Sequence, residues 1–240
     1  MFSPVTDASP PAARPLVVAV DGTSGSGKSS TCRQVAQRLG LAYLDTGAQF
    51  RAVTWWMLEH GVDVHDTEAV AARAAEPALE SGTDPTGPTI TVDGRDVSTQ
   101  IRSEAVTRAV SPVSTVPAVR ARLLDLQRAV IAASLHDGAA GIVVEGRDIA
   151  SVVWPQAEVK VYLTADAAAR AARRAAEEGG SDLTATQETL LERDRIDSGR
   201  ATAPLVRADG AVHLDTTPFT LEEVVDQVVS LVPQQVEGAT

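Results

Sequence analysis

The chain has 240 residues, of which 44% are hydrophobic and 22% are charged, so it can bury a sizeable core and is not disordered as a whole. Its length fits one domain of above-average size. A formal net charge of −11 argues against nucleic acid as the main partner, because phosphate backbones repel it, and a single cysteine excludes an internal disulfide.

The two ends of the chain differ from the rest in composition. Residues 1–14 are rich in Pro, Ala and Ser, and we expect a disordered lead-in there and a frayed tail over 234–240. Residues 15–233 then form a single domain. No apolar run approaches the roughly 18 residues that a membrane span needs, and the first residues lack the order of a secretion signal. We therefore expect a cytoplasmic protein without a membrane partner, which also fits the single cysteine.

Five short runs predict the strands of a parallel sheet, and the first of them is wholly apolar, which is typical of a strand that is buried on both faces. They lie at residues 16–21, 41–44, 141–144, 159–163 and 212–214. Apolar residues at helical spacing predict helices at 29–39, 47–60, 66–80, 117–133, 166–178 and 184–197. A last helix opens with a capping box at Thr220. Strands that alternate with helices predict a doubly wound α/β fold.

One stretch breaks this alternation. The sequence PTITVDGRDVS, residues 88–98, alternates around Asp93-Gly94, which is a strong hairpin signal. A hairpin inside a helix–strand chain predicts a small inserted antiparallel lobe, which we place at about 62–108. The two helices that are separated by Gly179-Gly180 predict a short helical lid at about 170–198.

The first predicted strand leads into Gly22-Thr-Ser-Gly-Ser-Gly27-Lys28-Ser29, which has the spacing of a phosphate-binding P-loop. Its position after a buried strand and before a helix favours phosphate binding over a flexible Ser-Gly turn, because backbone N–H groups and the helix dipole then face the phosphates. Lys28 is predicted to reach the β- and γ-phosphates, and the Ser29 hydroxyl to bind Mg²⁺. The predicted nucleotide cradle is Gly22, Thr23, Ser24, Gly25, Ser26, Gly27, Lys28, Ser29 and Ser30. Cys32 follows on the next helix and is expected to be a buried apolar residue rather than a redox sensor.

A P-loop serves transferases, which need a second substrate, and hydrolytic switches, which do not. The chain contains no asparagine, which excludes the Asn-Lys-x-Asp signature of a GTP switch and leaves an ATP switch open. Arginines favour a transferase, because their planar fork suits a second set of phosphate oxygens. Arg51, Arg147 and Asp148 follow predicted strands at their carboxyl ends, where α/β folds bind ligands.

Two further groups of charged residues share helix faces. Arg193, Asp197 and Arg200 are spaced i, i+4, i+7, so they lie together if the helix continues. Each cluster alone is compatible with solvated salt bridges, but their joint placement favours an anion site. The second group fits either a mobile lid that covers phosphates or plain surface charge. Its members are Arg170, Arg173 and Arg174.

Six ordered motifs carry a resemblance to a known family: GTSGSGKSS, LDTGAQFR, DGRDVSTQIR, SPVSTVPAVR, EGRDIASVVWPQAEVK and RDRIDSGRATAPL. With these motifs, residues from about 16 to 232 resemble the bacterial cytidylate kinases. The resemblance implies a five-stranded parallel sheet flanked by helices, an inserted nucleoside-monophosphate-binding lobe and a short helical lid. It also implies a monomer that uses Mg²⁺ and transfers the γ-phosphoryl group of ATP to CMP or dCMP.

The resemblance further implies roles for single residues. Lys28, Arg147, Arg193 and Arg200 would be catalytic. The acceptor phosphate would be held by Arg51, Arg147 and Arg200, with Thr46 in support. The cytosine edge would be bound by Ser111, Arg120 and Asp148, and the ribose would be bound by Arg193 and Asp197. Asp45 would help to position Mg²⁺ or the attacking oxygen.

The sequence departs from the family pattern at Gln49, Phe50, Ala150 and Trp154. These departures bear on substrate preference rather than on the reaction. Two alternatives remain, namely another small-metabolite P-loop kinase of the shikimate kinase type and a nucleotide-binding regulatory ATPase. The four histidines are scattered and are predicted to be structural or exposed.

Overall fold

A computed structural model describes residues 15–136, 139–177, 182–200 and 204–232. The predicted lead-in, the predicted tail and the Gly179-Gly180 break lie outside the described residues. The strands are β1 Leu16–Gly22, β2 Ala42–Asp45, β3 Leu79–Ser81, β4 Ile90–Val92, β5 Arg95–Asp96, β6 Gly141–Gly146, β7 Val159–Thr164 and β8 Val212–Asp215. The helices are α1 Lys28–Leu39, α2 Thr46–Glu59, α3 Thr67–Arg73, α4 Glu104–Thr115, α5 Pro117–Ala133, α6 Ala167–Glu177, α7 Leu183–Ser198 and α8 Leu221–Ser230.

The predicted parallel sheet is confirmed. It has five strands in the order β2-β6-β1-β7-β8, and every neighbouring pair is parallel. The central strand β1 pairs with β6 so that Val20 is opposite Glu145 and Asp21 is opposite Gly146. This register places the loop after β1 beside the residues that follow β6. Both segments therefore leave the same edge of the sheet at neighbouring strands.

Side chains of β1 point alternately into two apolar cores, one on each face of the sheet. Val18 and Val20 pack in one core with residues of α1 and α8. Val17 and Ala19 pack in the other core with Ile131 of α5. Burial on both faces explains why the strand is wholly apolar up to its last residues. The doubly wound fold class predicted from the sequence is thus confirmed.

A third core lies under the inserted segment, where Trp56 and Met57 of α2 pack with Val70, Ile90 and Leu123. The hairpin predicted at Asp93-Gly94 is present, and both residues have positive φ angles, 52° and 78°. It belongs to a three-stranded antiparallel sheet in the order β3-β4-β5.

The helix predicted over 66–80 is wrong in its second half. Helix α3 ends at Arg73, and Leu79–Ser81 forms strand β3, which pairs with β4. Pro77 has no N–H to continue a helix and disfavours helical geometry at Glu76. Leu79 is buried in the core under the sheet, so tertiary packing decides the conformation against the local Ala and Glu content.

Helix α4 was not predicted from the sequence. It begins after Ser103, whose side chain accepts a hydrogen bond from the Val106 N–H, and it contains Pro112. A proline within a helix is the feature that hid it from a propensity-based prediction. Its buried face packs on α2 and carries Ser111 towards the edge of the parallel sheet.

The departure at Gln49 has a consequence for stability. Its side chain is fully buried, and Nε2 donates to Ser81 Oγ at 3.0 Å, while Oε1 has no hydrogen-bond partner among the described residues. An unpaired buried acceptor is costly, so Gln49→Met is expected to raise the free energy of unfolding by about 1 kcal/mol. Urea denaturation of both proteins measures this.

A double-mutant cycle serves as the control. Ser81→Ala is expected to destabilise the wild type by about 1 kcal/mol, because it removes the remaining partner of Gln49, and to have little effect in the Gln49→Met background. A destabilised Gln49→Met protein, or equal effects of Ser81→Ala in both backgrounds, would contradict this explanation.

Candidate active site

The loop between β1 and α1 has the conformation that its glycines predict. Gly25 and Gly27 have φ angles of 75° and 86°, in the left-handed region that favours glycine. A Cβ atom on Gly22 would lie 2.0 Å from the Leu163 carbonyl oxygen, so no larger residue fits. Gly27 caps α1 without a side-chain hydrogen bond. The first N–H groups of the helix are therefore left for an anion or water.

Lys28 is held inside this loop. Its Nζ donates to the carbonyl oxygens of Gly22 at 3.0 Å and Thr23 at 2.7 Å. Burial and the positive charge of Arg147 lower the pKa of Lys28. A buried cation beside a second cation is stabilised by a negatively charged ligand, which is what the loop geometry accommodates.

Glu145 is a site residue that the sequence reasoning missed. It lies one residue before the end of the buried strand β6 and is almost fully buried, with the Tyr43 hydroxyl donating to its Oε1. It lines the smaller of two spaces at the site together with Ser29, and burial, followed by the charge of Asp45, raises its pKa. An acidic residue at the end of a strand beside the P-loop strand is the signal that could have identified it.

The oxygens of Ser29 and Glu145 are hard ligands of the kind that Mg²⁺ prefers. Within the described ranges, no cluster of three His, Cys, Asp or Glu side chains could hold a metal ion by itself. Mg²⁺ usually takes one or two protein ligands and completes its shell with phosphates and water, so the donor set fits this ion.

The ten residues predicted from the resemblance for the acceptor site all line one cavity of about 210 Å³. An adjoining cleft of about 820 Å³ is lined by the P-loop residues from Ser24 to Ser30. Lys28, Ser29 and Arg193 line both spaces. The residues of the smaller cavity are Asp45, Thr46, Arg51, Ser111, Arg120, Arg147, Asp148, Arg193, Asp197 and Arg200.

Three of these residues form a buried charged network. Arg147 Nε lies 2.8 Å from Asp197 Oδ2, and Arg200 pairs with the other oxygen of the same carboxylate. Arg200 also donates to Ser114 Oγ at 3.1 Å, and Arg147 donates to the carbonyl oxygen of Gly22 in the P-loop. Arg147 thus contacts the donor loop and the acceptor cavity together.

Arg193, Asp197 and Arg200 were predicted to share one helix face, and only the first two lie on the helix. Helix α7 ends at Ser198 with Gly199 as its cap, so Arg200 lies beyond the helix and the prediction for it was wrong. Its guanidinium contacts Asp197 nonetheless, because the two residues are only three positions apart.

Two further arginines give the cavity a surplus of positive charge. Burial lowers the pKa of Arg193 to about 9, with Arg147 and Arg51 as positive neighbours. Burial also lowers the pKa of Arg51 to about 10. Arg51 is oriented by the carbonyl oxygen of Ile101 at 3.2 Å and by Thr107 Oγ1 at 3.0 Å. Such a cluster of desolvated cations is suited to a phosphate group.

The same cavity also holds an ion pair between Arg120 and Asp148. Arg120 Nη2 lies 2.5 Å from Asp148 Oδ2, and burial raises the pKa of Asp148. Arg120 also donates to the carbonyl oxygen of Ser114 at 3.2 Å. Ser111, one turn earlier on α4, is buried, and its carbonyl oxygen accepts from the Ser114 hydroxyl.

Asp45 and Thr46 join the cavity to the start of α2. Asp45 Oδ1 accepts from the Ala48 N–H at 3.0 Å and caps the helix, while Oδ2 lies 3.9 Å from Arg102. Thr46 Oγ1 donates to the carbonyl oxygen of Glu145 at 2.7 Å. Arg102 lines both spaces and was not identified from the sequence.

The remaining departures from the family pattern lie close to this site. The guanidinium of Arg120 lies over the Phe50 ring, 5.4 Å from its centre, so the apolar ring supports a predicted cytosine-binding residue. Ala150 is buried and its N–H donates to Asp21 at 2.9 Å. Trp154 packs at the edge of a sheet core. Cys32 is buried in the core under α1, as predicted.

The arginines of α6 were predicted to form either a mobile lid that covers phosphates or plain surface charge. Arg170 is buried, pairs with Asp194 and donates to the carbonyl oxygen of Ser24. Arg173 donates to Thr216 Oγ1 and to the Thr216 carbonyl oxygen, both at 2.8 Å. Plain surface charge is therefore wrong for these two residues. Arg174 lines both spaces.

None of the helices in the described part of the chain is long and apolar enough to cross a membrane. A family model described as "Cytidylate kinase" matches residues 18–234. The chain is 57% identical to a cytidylate kinase of Streptomyces griseus over 217 residues, covering 90% of the chain and 92% of that protein. It is 54% identical to a cytidylate kinase of Streptomyces avermitilis over 220 residues (92% and 94%), and 50% identical to one of Nocardia farcinica over 226 residues (92% and 95%).

Proposed function

This chain belongs to the cytidylate kinase family, and on that basis we propose that it transfers the γ-phosphoryl group of MgATP to CMP or dCMP, with CDP or dCDP and ADP as products. One observation carries the proposal. The ten acceptor residues predicted from the motifs line a single cavity that adjoins the P-loop, and Arg147 contacts both.

The larger cleft suits the donor nucleotide. Its phosphates would lie on the P-loop and Lys28, and the far end of the cleft, lined by Phe219 and Leu221, is apolar enough for a base. The Ser29 hydroxyl and the Glu145 carboxylate would hold Mg²⁺. When bound, this ion neutralises phosphate charge during the transfer.

The smaller cavity suits the acceptor. Arg51, Arg147 and Arg200 would bind its phosphate, because the cavity carries a surplus of positive charge. Cytosine carries an exocyclic amino donor, and the Asp148 carboxylate would be an acceptor for it. Arg120 pairs with Asp148, and Ser111 lines the same cavity.

The reaction follows from this placement. An oxygen of the acceptor phosphate forms a bond to the γ-phosphorus while the bond between that phosphorus and the β–γ bridging oxygen breaks, and ADP leaves with the electron pair. The protein supplies alignment and charge neutralisation by Lys28, Arg147 and Arg193 rather than covalent chemistry. Burial of these groups strengthens their electrostatic effect, because water screens them less.

The proposal is tested by ADP release from MgATP with CMP, dCMP, UMP, AMP or shikimate added singly. We expect release with CMP and dCMP far above the rate without an acceptor. Release with shikimate alone would indicate a small-metabolite kinase, and slow hydrolysis indifferent to every acceptor would indicate a regulatory ATPase. Either result would overturn the proposal. A monomer is expected in the same preparation and is checked by light scattering.

Base selection gives a separate prediction. Asp148→Ala is expected to reduce the preference for CMP over UMP, measured as the ratio of kcat/KM values, by about tenfold or more, because the amino group of cytosine loses its acceptor. Asp148→Asn is the matched variant. Its amide can present either a donor or an acceptor, so UMP is expected to gain relative to CMP. An unchanged ratio in both variants would mean that Asp148 acts only by orienting Arg120.

A further inference from the structure

The backbone of one P-loop residue, Ser24, is bound at both its N–H and its carbonyl group by side chains of the helical region that follows β7. The Ser24 N–H donates to Asp194 Oδ1 at 2.9 Å, and the Ser24 carbonyl oxygen accepts from Arg170 Nη1 at 2.9 Å. The two side chains also pair with each other and are only 14% and 6% exposed. Both hydrogen-bonding groups of this residue are therefore occupied by one ion pair.

The helices pack directly on the loop at the next residue. A Cβ atom on Gly25 would lie 3.3 Å from Arg170 Cβ and 3.4 Å from Leu190 Cδ1. Residue 25 is a glycine with positive φ, and it lies so close to α6 and α7 that a side chain there would be tightly crowded. The hydrogen bonds at Ser24 and this close contact fix the loop relative to both helices.

The pair differs from an ordinary surface ion pair on the same helix. Glu192 and Arg195 contact each other on α7, with side chains 53% and 75% exposed. Arg170 is buried, and its Nε has no hydrogen-bond partner among the described residues. A buried cation with an unpaired N–H is poorly suited to stabilising the fold, because desolvating a buried charge costs more free energy than leaving it on the surface. Its placement is better explained by what it positions.

Helix α7 carries acceptor-site residues on either side of this attachment. Arg193 precedes Asp194 directly, and Asp197 follows it by three residues and binds Arg147 and Arg200. A helix is rigid over one turn, so fixing Asp194 on the loop fixes the distance between the loop and these neighbours. The contact thus connects the donor cradle with the charged network of the acceptor.

We propose that Arg170 and Asp194 are a positioning pair that holds the backbone of Ser24 and thereby keeps the P-loop in register with α7. This inference rests on the proposed phosphoryl transfer. The pair touches neither phosphate in this proposal. It sets where the loop N–H groups and Arg193 lie relative to each other when both nucleotides are bound.

The main test variant replaces the pair by apolar residues of similar size, Arg170→Met with Asp194→Leu. Exchanging a buried ion pair for well-packed apolar side chains usually leaves a protein folded. We expect a thermal midpoint close to that of the wild type, MgADP affinity lower by about tenfold, and kcat with CMP lower by about 100-fold, since a displacement near 1 Å can have that effect. CMP affinity without donor is expected to change less than about threefold, because Arg147, Asp197 and Arg200 keep their mutual contacts.

Two further variants make the test decisive. Asp194→Asn keeps an acceptor for the Ser24 N–H but loses the charge pair, and kcat is expected to fall by about tenfold with CMP affinity unchanged. This variant decides the question if the apolar pair does not fold. The control Glu192→Gln with Arg195→Gln removes the exposed pair of the same helix and is expected to leave all four measurements unchanged.

Several outcomes would overturn the inference. These are kcat and MgADP affinity near wild type in a folded variant, an equal fall in CMP affinity and kcat, or the same losses in the exposed control. Failure of the proposed function is distinguishable, because it shows as a wild type that does not phosphorylate CMP. In that event the MgADP affinities alone decide whether the pair positions the P-loop.

Discussion

Replacing Lys28 with alanine is expected to lower kcat for CMP phosphorylation by about 10³-fold or more, while the affinity for CMP alone changes less than about threefold. Its ammonium group lies inside the P-loop, on the carbonyl oxygens of Gly22 and Thr23, and no residue of the acceptor site accepts a hydrogen bond from it among the described contacts. The charge that it would neutralise belongs to the donor phosphates and grows as the phosphoryl group leaves ADP.

Single-turnover kinetics and calorimetry with CMP measure the two quantities separately. The chain has one other lysine, Lys160, which lies on β7, and Lys160→Ala is the matched control with expected wild-type turnover. A CMP affinity that falls as far as kcat in Lys28→Ala would contradict the division between donor and acceptor residues.

Asp197→Ala is expected to lower kcat/KM for CMP by about 10²- to 10³-fold. The carboxylate is buried between Arg147 and Arg200 and bonds one of them through each oxygen. Removing it leaves two buried guanidinium groups without their shared counter-ion, and truncating one partner of such a pair commonly costs about 2–5 kcal/mol. The loss is expected to be large even if Asp197 never touches a substrate.

A comparison of substrates separates this bracing effect from a direct contact with ribose. We propose that Asp197 also accepts a hydrogen bond from a ribose hydroxyl, so the loss should be smallest for 2′,3′-dideoxy-CMP, which has no hydroxyl to lose. CMP and dCMP should fall unequally if the 2′-hydroxyl is contacted and equally if the 3′-hydroxyl is contacted. Equal factors for CMP, dCMP and 2′,3′-dideoxy-CMP would exclude the ribose contact.

Asp197→Asn is the matched variant for the same experiment. It keeps an acceptor for a hydroxyl but weakens the pairing with both arginines. If ribose binding dominates, Asp197→Asn should retain most of the activity that Asp197→Ala loses. If bracing dominates, both variants should lose phosphate binding, which is measured as the affinity for CMP at varied ionic strength.

Features that depend on a few neighbouring residues were predictable from the sequence. The P-loop between Gly22 and Ser29 was predictable because backbone positions with positive φ favour glycine. The turn at Asp93-Gly94 was predictable for the same reason. The capping box at Thr220 is present, with its side chain bonded to the Glu223 N–H. The five strands were found from short, largely apolar runs. Strands β1 and β6 are buried on both faces, whereas β8 at the edge of the sheet is mostly exposed, with Val212 44% exposed.

Features that depend on partners far along the chain were decided by the tertiary structure. Leu79–Ser81 is a strand because β4 pairs with it, against a local preference for helix. Glu145 belongs to the site only because β6 lies next to β1, although the two strands are more than 100 residues apart in the sequence.

The charged residues show most clearly which features the local sequence predicts and which features depend on the tertiary structure. The sequence by itself predicted that arginines follow the strand ends and lie at one edge of the sheet, because the carboxyl ends of parallel strands meet there. Whether a given arginine is buried or exposed was not determined, since Arg170 and Arg195 both lie on helices and both pair with a carboxylate, yet one is buried on the P-loop and the other is exposed. Desolvation is a property of the packed molecule, and only the tertiary structure decides which charges share a buried site.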